Sequence, residues 1–218
     1  MGHSGGTFFG IQVAARAPER FHAYIGVAQM TNQLRSEQLA YDYMLRRFRE
    51  IGNAEMVRKL EAVPVTLADG TPPGYIAVRD EGMHRLGVGT MHKMTDFMQG
   101  TFLGSLQSRE YTLGEKVGLW RGKFSAGVSA LWSEVIASDL FEALPAVDLP
   151  VYFLHGTYDY TVSYTLAKAY FEQLQAPVKG FYTFERSAHS PMFEEPEKAL
   201  RILREDVLAG TSCLADAR

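Results

Sequence analysis

The pentapeptide Gly2–Gly6, with the sequence GHSGG, constrains the fold more than any other feature of this chain. Glycines two positions before and after a serine are typical of a sharp turn between a strand and a helix, where a Cβ would clash with the neighbouring backbone. Only Met1 precedes the pentapeptide. The sequence therefore predicts the turn and a helix after it, but no strand in front of it.

Apolar strands and amphipathic helices alternate at both ends of the chain. A helix is predicted over residues 7–17 and a buried strand over residues 21–30. The last part of the sequence, residues 150–207, shows the order strand, helix, strand and helix. Because strands that alternate with helices form parallel sheets, the sequence predicts an α/β fold.

The middle of the chain has a different character. Amphipathic helical patterns occur at residues 36–49 and 113–136, and no clear strand interrupts them. We therefore predict an α/β core made of residues 1–30 and 146–218, with a helical insertion over residues 31–145.

Composition indicates an ordinary soluble domain. The chain has 218 residues, of which 46% are hydrophobic, and a net charge of -3, so no charge excess points to nucleic acid or to an anionic membrane. No apolar run approaches membrane-spanning length, and no secretory signal is recognisable. The one cysteine, Cys213, cannot form an internal disulfide. We expect a cytoplasmic protein without nucleic-acid or membrane partners.

Two polar residues follow the predicted strands of the C-terminal part. Asp159 comes just after the strand at 150–155, and His189 just after the strand at 180–184. Catalytic groups of parallel sheets gather at the carboxyl ends of the strands. A serine hydroxyl needs a base to become a nucleophile, and the base needs an orienting acid. We predict that Ser4 is the nucleophile, His189 the base and Asp159 the acid.

Other acids and histidines are weaker candidates. Asp148 precedes its strand and would lie at the wrong end of the sheet, and Asp42 is expected on a solvated helix face. Asp139 stays open as an alternative acid, and His155 is expected to be structural. Three further histidines lack the spacing of metal ligands: His22, His84 and His92. We expect no metal and no cofactor.

Three motifs together resemble the α/β-hydrolase family. They are GHSGG at 2–6, HGxxD at 155–159, and the His189 loop that leads to ExP at 194–196. The resemblance is to the capped serine hydrolases, a branch with proline iminopeptidase-like and esterase-like members. It implies the C-terminal part of an α/β-hydrolase parallel sheet, with residues 31–145 as a large helical cap.

The resemblance also implies an activity. A serine hydrolase of this kind would cleave an ester or amide bond of a small, largely apolar substrate through an acyl-enzyme, with the N–H of Gly5 as an oxyanion donor. The alternative is a proline iminopeptidase-like aminopeptidase acting on a short peptide, whose amine Glu134 or Asp139 would bind. Four residues are candidate substrate contacts: His3, Met94, Met98 and Glu134.

The pattern departs from the family before the serine turn. The family's first strands and its second oxyanion donor should come there, and the sequence shows neither. Loss of one oxyanion donor typically lowers turnover by about a hundred- to a thousandfold. An unpaired sheet edge favours self-association. A third reading is therefore a catalytically incomplete fragment or a non-enzymatic binding protein that self-associates through this edge.

Overall fold

The computed structural model describes residues 1–94, 102–126 and 131–217. It contains a parallel sheet of four strands in the order β1-β2-β3-β4. The strands are β1 (Gly2–His3), β2 (Tyr24–Val27), β3 (Val151–Gly156) and β4 (Lys179–Phe184). The α/β class and the parallel sheet predicted from the sequence are confirmed.

Strand β1 differs from the prediction that no strand precedes Ser4. Gly2 pairs with Gly26 and His3 with Val27 of β2. The register continues into the turn, since the N–H of Ser4 donates to the carbonyl of Val27 at 3.0 Å. A strand of two residues has no hydrophobic alternation, so sequence periodicity could not reveal it.

Helices occupy most of the remaining chain. They are α1 (Gly5–Arg16), α2 (Gln33–Glu50), α3 (Ala54–Glu61), α4 (Tyr75–Arg85), α5 (Gly104–Gln107), α6 (Leu113–Ala126), α7 (Leu131–Ala137), α8 (Leu140–Ala143), α9 (Tyr164–Gln173), α10 (Pro191–Glu194) and α11 (Pro196–Ile202). A 3₁₀ turn covers Pro18–Arg20, and a π-helical turn covers Leu203–Val207. Within the described part of the chain, no helix has the length and apolar character needed to cross a bilayer.

Both faces of the sheet are covered by helices. Every residue of β3 is buried, and successive side chains point to opposite faces. Val151 and Phe153 pack in one cluster with residues of α1 and α9, whereas Tyr152 and Leu154 pack in another with residues of α11. The apolar run of β3, which lacks polar alternation, is typical of a strand buried on both sides.

A third hydrophobic cluster lies apart from the sheet. Helices α2, α3 and α4 bury its largest members against one another: Met44, Phe48, Met56, Leu60, Tyr75 and Met83. Asn32 and Asn53 cap α2 and α3, since each side chain accepts a backbone N–H in the first turn. This cluster falls within residues 31–145. The boundaries of that helical cap stay a prediction.

Met91, Met94 and Met98 recur at helical spacing in the sequence, which predicts a helix, but the structure describes this segment only in part. Residues 91–93 form a turn rather than a helix. Met94 is buried, with 7% of its surface exposed. Met98 lies outside the described residues.

Candidate active site

Ser4 occupies the turn between β1 and α1. Its backbone has φ 54° and ψ −126°, a conformation that side-chain-bearing residues rarely adopt. The backbone N–H and the hydroxyl of Thr7 both donate to the carbonyl of Ser4, at 2.8 and 2.5 Å. These bonds hold the strained turn that the sequence predicts.

The two outer glycines of the pentapeptide differ in their surroundings. A Cβ at Gly2 would lie 2.5 Å from the carbonyl oxygen of Gly6, so the close approach excludes a side chain there. A Cβ at Gly6 would meet no described atom within 4 Å. The steric reason given for both glycines therefore applies to Gly2 alone.

Asp159 and His189 are brought together at the carboxyl ends of β3 and β4. The Nδ1 atom of His189 lies 2.9 Å from Oδ2 of Asp159, and both residues are buried, with 7% and 1% exposed. The other carboxylate oxygen, Oδ1, accepts the N–H of Val162 at 2.9 Å. The carboxylate therefore favours the proton on Nδ1 of His189, so that Nε2 is the nitrogen with a lone pair that can accept a proton.

A second histidine contacts the same carboxylate. Nε2 of His155 lies 3.2 Å from Oδ2 of Asp159 and 3.0 Å from the carbonyl of Val162. Because a carbonyl only accepts, Nε2 of His155 must carry a proton. Sequence reasoning placed His155 at a strand end but missed this contact. The four-residue spacing across the end of β3 was the available signal.

The surroundings of Asp159 keep it ionised. Burial by itself raises the pKa of this carboxyl, but the charge and hydrogen bond of His189 and the hydrogen bond of His155 outweigh burial. The net effect holds the pKa of Asp159 well below its usual range. A carboxylate that is ionised at neutral pH can stabilise an imidazolium that forms on His189.

His3 joins the serine turn to the histidine loop. Its Nε2 hydrogen-bonds the carbonyl of His189 at 2.8 Å, and the two ring centroids are 4.9 Å apart. Desolvation at this contact lowers the pKa of His3, in spite of the hydrogen bond. The turn that carries Ser4 is thus in direct contact with the residue that bonds Asp159.

A cavity of about 440 Å³ opens beside Ser4 and Gly5. Its apolar lining residues are Phe9, Met30, Ile76, Leu131, Trp132 and Val135. Its polar lining residues are Gln33, Glu37, Arg79, Asp80 and Thr161. The volume and the mainly apolar wall suit a small ligand whose reacting group lies at Ser4.

Comparisons with known proteins find relatives of similar sequence and a solved structure of the same fold. "Probable aminopeptidase YbaC" of Bacillus subtilis is 28% identical over 201 residues, which cover 89% of this chain and 60% of YbaC. "AB hydrolase superfamily protein YclE" of the same species is 38% identical over 88 residues, 36% of this chain and 29% of YclE. The crystal structure of a proline iminopeptidase from Mycobacterium smegmatis shares the fold with a TM-score of 0.57 at 14% identity, covering 93% of this chain and 62% of that one.

The chain shares the fold of this solved α/β-hydrolase structure. No protein-family model matches it. It spans 60% of the length of YbaC, so the match describes a part of that relative rather than the whole.

The polar end of the cavity beside Ser4 was missed by sequence reasoning. Nε of Arg79 lies 2.6 Å from Oε2 of Glu37, and Gln33 donates to Oε1 of Glu37 at 2.8 Å. Tyr75 donates to Glu37 as well, at 3.2 Å. Burial, followed by the charge of Glu37, raises the pKa of the Tyr75 hydroxyl. Charges on amphipathic helices usually face solvent, so the sequence offered no signal that these would be buried.

The predicted substrate contacts lie elsewhere in the described structure. Glu134 is exposed and does not line the Ser4 cavity, and His3 contacts the His189 loop instead. Met94 lines a different cavity, next to Glu194 and Arg186. With Met98 undescribed, these four assignments stay predictions.

The competing acids have other contacts. Asp139 caps α8 and accepts a hydrogen bond from Asn32 at 2.8 Å, while Asp148 is exposed. Asp42 is exposed and lines a cavity that Asp159 also lines. Of these acids, Asp159 is the one that the structure places against His189.

Proposed function

We propose that this chain carries the catalytic machinery of a serine hydrolase. Ser4 is the nucleophile, His189 the general base and then acid, and Asp159 the residue that orients His189. The observation that carries the proposal is the 2.9 Å bond from His189 to buried Asp159, in a loop that also contacts the turn holding Ser4. The names of the relatives, an aminopeptidase and a hydrolase, support the same reaction class.

The chemistry follows from these positions. Oγ of Ser4 attacks the carbonyl carbon of an ester or amide while Nε2 of His189 takes the hydroxyl proton. The resulting imidazolium gives that proton to the leaving alcohol or amine as the carbonyl–leaving-group bond breaks, which leaves an acyl group on Ser4. Water then attacks the acyl-enzyme while His189 takes one of its protons. As the bond between the acyl carbon and Oγ of Ser4 breaks, His189 returns that proton to Oγ, and the carboxylic acid departs.

The first turn of α1 provides stabilisation for the oxyanion. Gly5 directly follows Ser4, and the first backbone N–H groups of a helix have no acceptor within the helix. The N-terminal end of a 12-residue helix also carries partial positive charge. In this proposal the N–H of Gly5 donates to the negatively charged oxygen of the tetrahedral intermediate, and its position at the start of α1 supports this role.

A second candidate function, an aminopeptidase, is favoured by the polar end of the cavity. Oε1 of Gln33 is buried and has no hydrogen-bond partner among the residues described, and Asp80 adds a second carboxylate to the cavity wall. These acceptors would suit the ammonium group of a substrate whose scissile carbonyl lies at Ser4. In this hypothesis, Gln33 and Asp80 take the role that the sequence suggested for Glu134.

Labelling with a fluorophosphonate tests the hydrolase proposal. The purified chain should be labelled, and Ser4→Ala should abolish labelling while its thermal melting stays cooperative. Asp159→Asn should slow labelling by about a thousandfold or more, because it favours the wrong tautomer of His189. A folded chain that is not labelled would contradict the proposal and favour a binding protein or an incomplete fragment.

Paired substrates separate the esterase from the aminopeptidase. We would compare an aminoacyl anilide with the matching anilide that lacks the amine, for the wild type and for Asp80→Asn. An aminopeptidase should show a raised KM in this variant for the amine-bearing substrate alone. Glu134→Gln is the matched control, since Glu134 is exposed and outside the cavity. Equal effects on both substrates would exclude amine recognition by Asp80.

A further inference from the structure

A short loop of the predicted cap contacts both loops that carry Asp159 and His189. We call residues 87–92 the bridging loop. Its Gly89 carbonyl accepts the N–H of His189 at 3.3 Å, and its Val88 carbonyl accepts the N–H of Tyr160 at 3.2 Å. The backbone of His189 and the backbone of the residue that follows Asp159 are therefore both hydrogen-bonded to the same six-residue loop.

The bridging loop has a fixed shape of its own. Gly87 has φ 67°, and a Cβ there would lie 2.5 Å from the carbonyl oxygen of His92. Nδ1 of His92 hydrogen-bonds the carbonyl of Gly87 at 2.8 Å, which closes the loop. The His92 ring also stacks on Tyr158, with centroids 3.7 Å apart. Because the loop is closed in this way, we expect a movement of the cap to shift the whole loop, and with it the groups to which the loop is bonded.

Glu194 links this loop to the His189 loop a second time. Its Oε1 accepts the N–H of His92 at 2.6 Å, and its Oε2 accepts the N–H of Ala188 at 2.8 Å. Ala188 directly precedes His189, so one carboxylate holds the bridging loop and the backbone of the base together. The two groups bonded to Glu194 are both backbone N–H donors. A carboxylate has two accepting oxygens, so Glu194 can accept a hydrogen bond from each of them.

We propose that Glu194 is a positioning residue that couples the bridging loop to the loop carrying His189. The inference rests on the proposed function for the role of His189. It adds that the placement of the base depends on the position of the cap, so that a cap displaced from the core weakens the bond between His189 and Asp159. Glu194 does not touch the reacting atoms in this scheme.

The neighbouring Glu195 provides a matched control. Its Oε1 accepts the N–H of Arg186 at 3.0 Å and the hydroxyl of Ser187 at 2.7 Å. Glu195 therefore holds the same loop from within the core, and no described contact joins it to the bridging loop. Replacing either glutamate by glutamine keeps the shape of the side chain and turns one oxygen into a donor. Each oxygen of Glu194 accepts one of its two bonds, so Glu194→Gln loses one of them. Both bonds of Glu195 go to Oε1, so Glu195→Gln can keep them and controls for the loss of charge alone.

The first experiment compares Glu194→Gln with Glu195→Gln. The readouts are the rate of fluorophosphonate labelling and the downfield NMR resonance of the proton shared by His189 and Asp159. We expect Glu194→Gln to slow labelling by about ten- to a hundredfold and to shift or broaden the resonance, because the base is misplaced. We expect Glu195→Gln to change labelling by less than about threefold. Equal effects of the two variants on both readouts would overturn the inference.

The second experiment perturbs the cap and observes the base. His92→Ala removes the ring bond to Gly87 and the stacking on Tyr158 but leaves Glu194 in place. We expect faster hydrogen exchange in residues 186–190 of this variant. Unchanged exchange there, with faster exchange confined to residues 87–92, would overturn the inference. Hydrogen exchange and NMR can be measured on a protein without activity. If the wild-type chain is not labelled, the proposed function is contradicted, but these two measurements still test whether Glu194 couples the two loops.

Discussion

Nε2 of His155 lies 3.2 Å from Oδ2 of Asp159, and neither side chain has any exposed surface. This contact gives the acid of the proposed triad a second histidine partner, at the same carboxylate oxygen that His189 contacts. The Nδ1 atom of His155 is buried without a partner in the described structure, so its ring is held through Nε2. Burying the polar ring of His155 costs free energy, and its hydrogen bond stabilises the ionised form of Asp159.

Replacing His155 by leucine should therefore destabilise the fold at neutral pH. The ionised Asp159 loses one donor, and we expect a loss of about 1–3 kcal/mol in the free energy of unfolding. The folded-state pKa of Asp159 is depressed, so its stabilising contribution is present above the usual carboxyl range and is lost as the pH falls. Urea denaturation of both proteins at pH 7 and below about pH 4 measures this. If the difference in unfolding free energy between the wild type and His155→Leu is as large in acid as at pH 7, His155 does not act by stabilising the ionised form of Asp159.

Much of this site could be predicted because its residues occur at ends of recognisable elements. Asp159 and His189 follow two buried strands, and their position at one edge of a parallel sheet follows from the topology. The role of Glu194 could not be predicted, because its two partners are backbone groups of distant segments. Glu37 and Arg79 were missed for a related reason, since their burial depends on how the helices pack and not on their own pattern.

The strain at Ser4 predicts a difference between two inactive variants. Both Ser4→Gly and Ser4→Ala lack the nucleophile, so neither should be labelled. Glycine adopts a positive φ readily, whereas alanine keeps the strain of Ser4 at φ 54°. We expect Ser4→Gly to be about 1 kcal/mol more stable than Ser4→Ala in chemical denaturation. A more stable Ser4→Ala would mean that the turn relaxes when the hydroxyl is absent.

The two outer glycines of the pentapeptide should respond differently to alanine. Gly2→Ala places a Cβ 2.5 Å from the backbone oxygen of Gly6, so we expect a loss of more than about 2 kcal/mol. Gly6→Ala meets open space within α1, where alanine is favoured over glycine by about 1 kcal/mol. Thermal melting of both variants compares them directly. Similar losses in both would show that Gly6 also has a steric role.

The buried pair of Glu37 and Arg79 predicts non-additive changes in stability. Arg79→Met leaves the carboxylate of Glu37 buried at 1% side-chain exposure without its counter-charge, which should cost about 3–5 kcal/mol. Glu37→Met removes one partner of the guanidinium, which keeps its 3.0 Å ion pair with Asp80, so this loss should be the smaller of the two. The double variant removes both charges, and apolar side chains of similar volume can replace a buried pair at little cost. We expect the double variant to be more stable than either single variant in urea denaturation. If the stability lost by the double variant equals the sum of the two single losses, the charges of Glu37 and Arg79 do not interact strongly. Glu37 would then be available to bind a substrate amine.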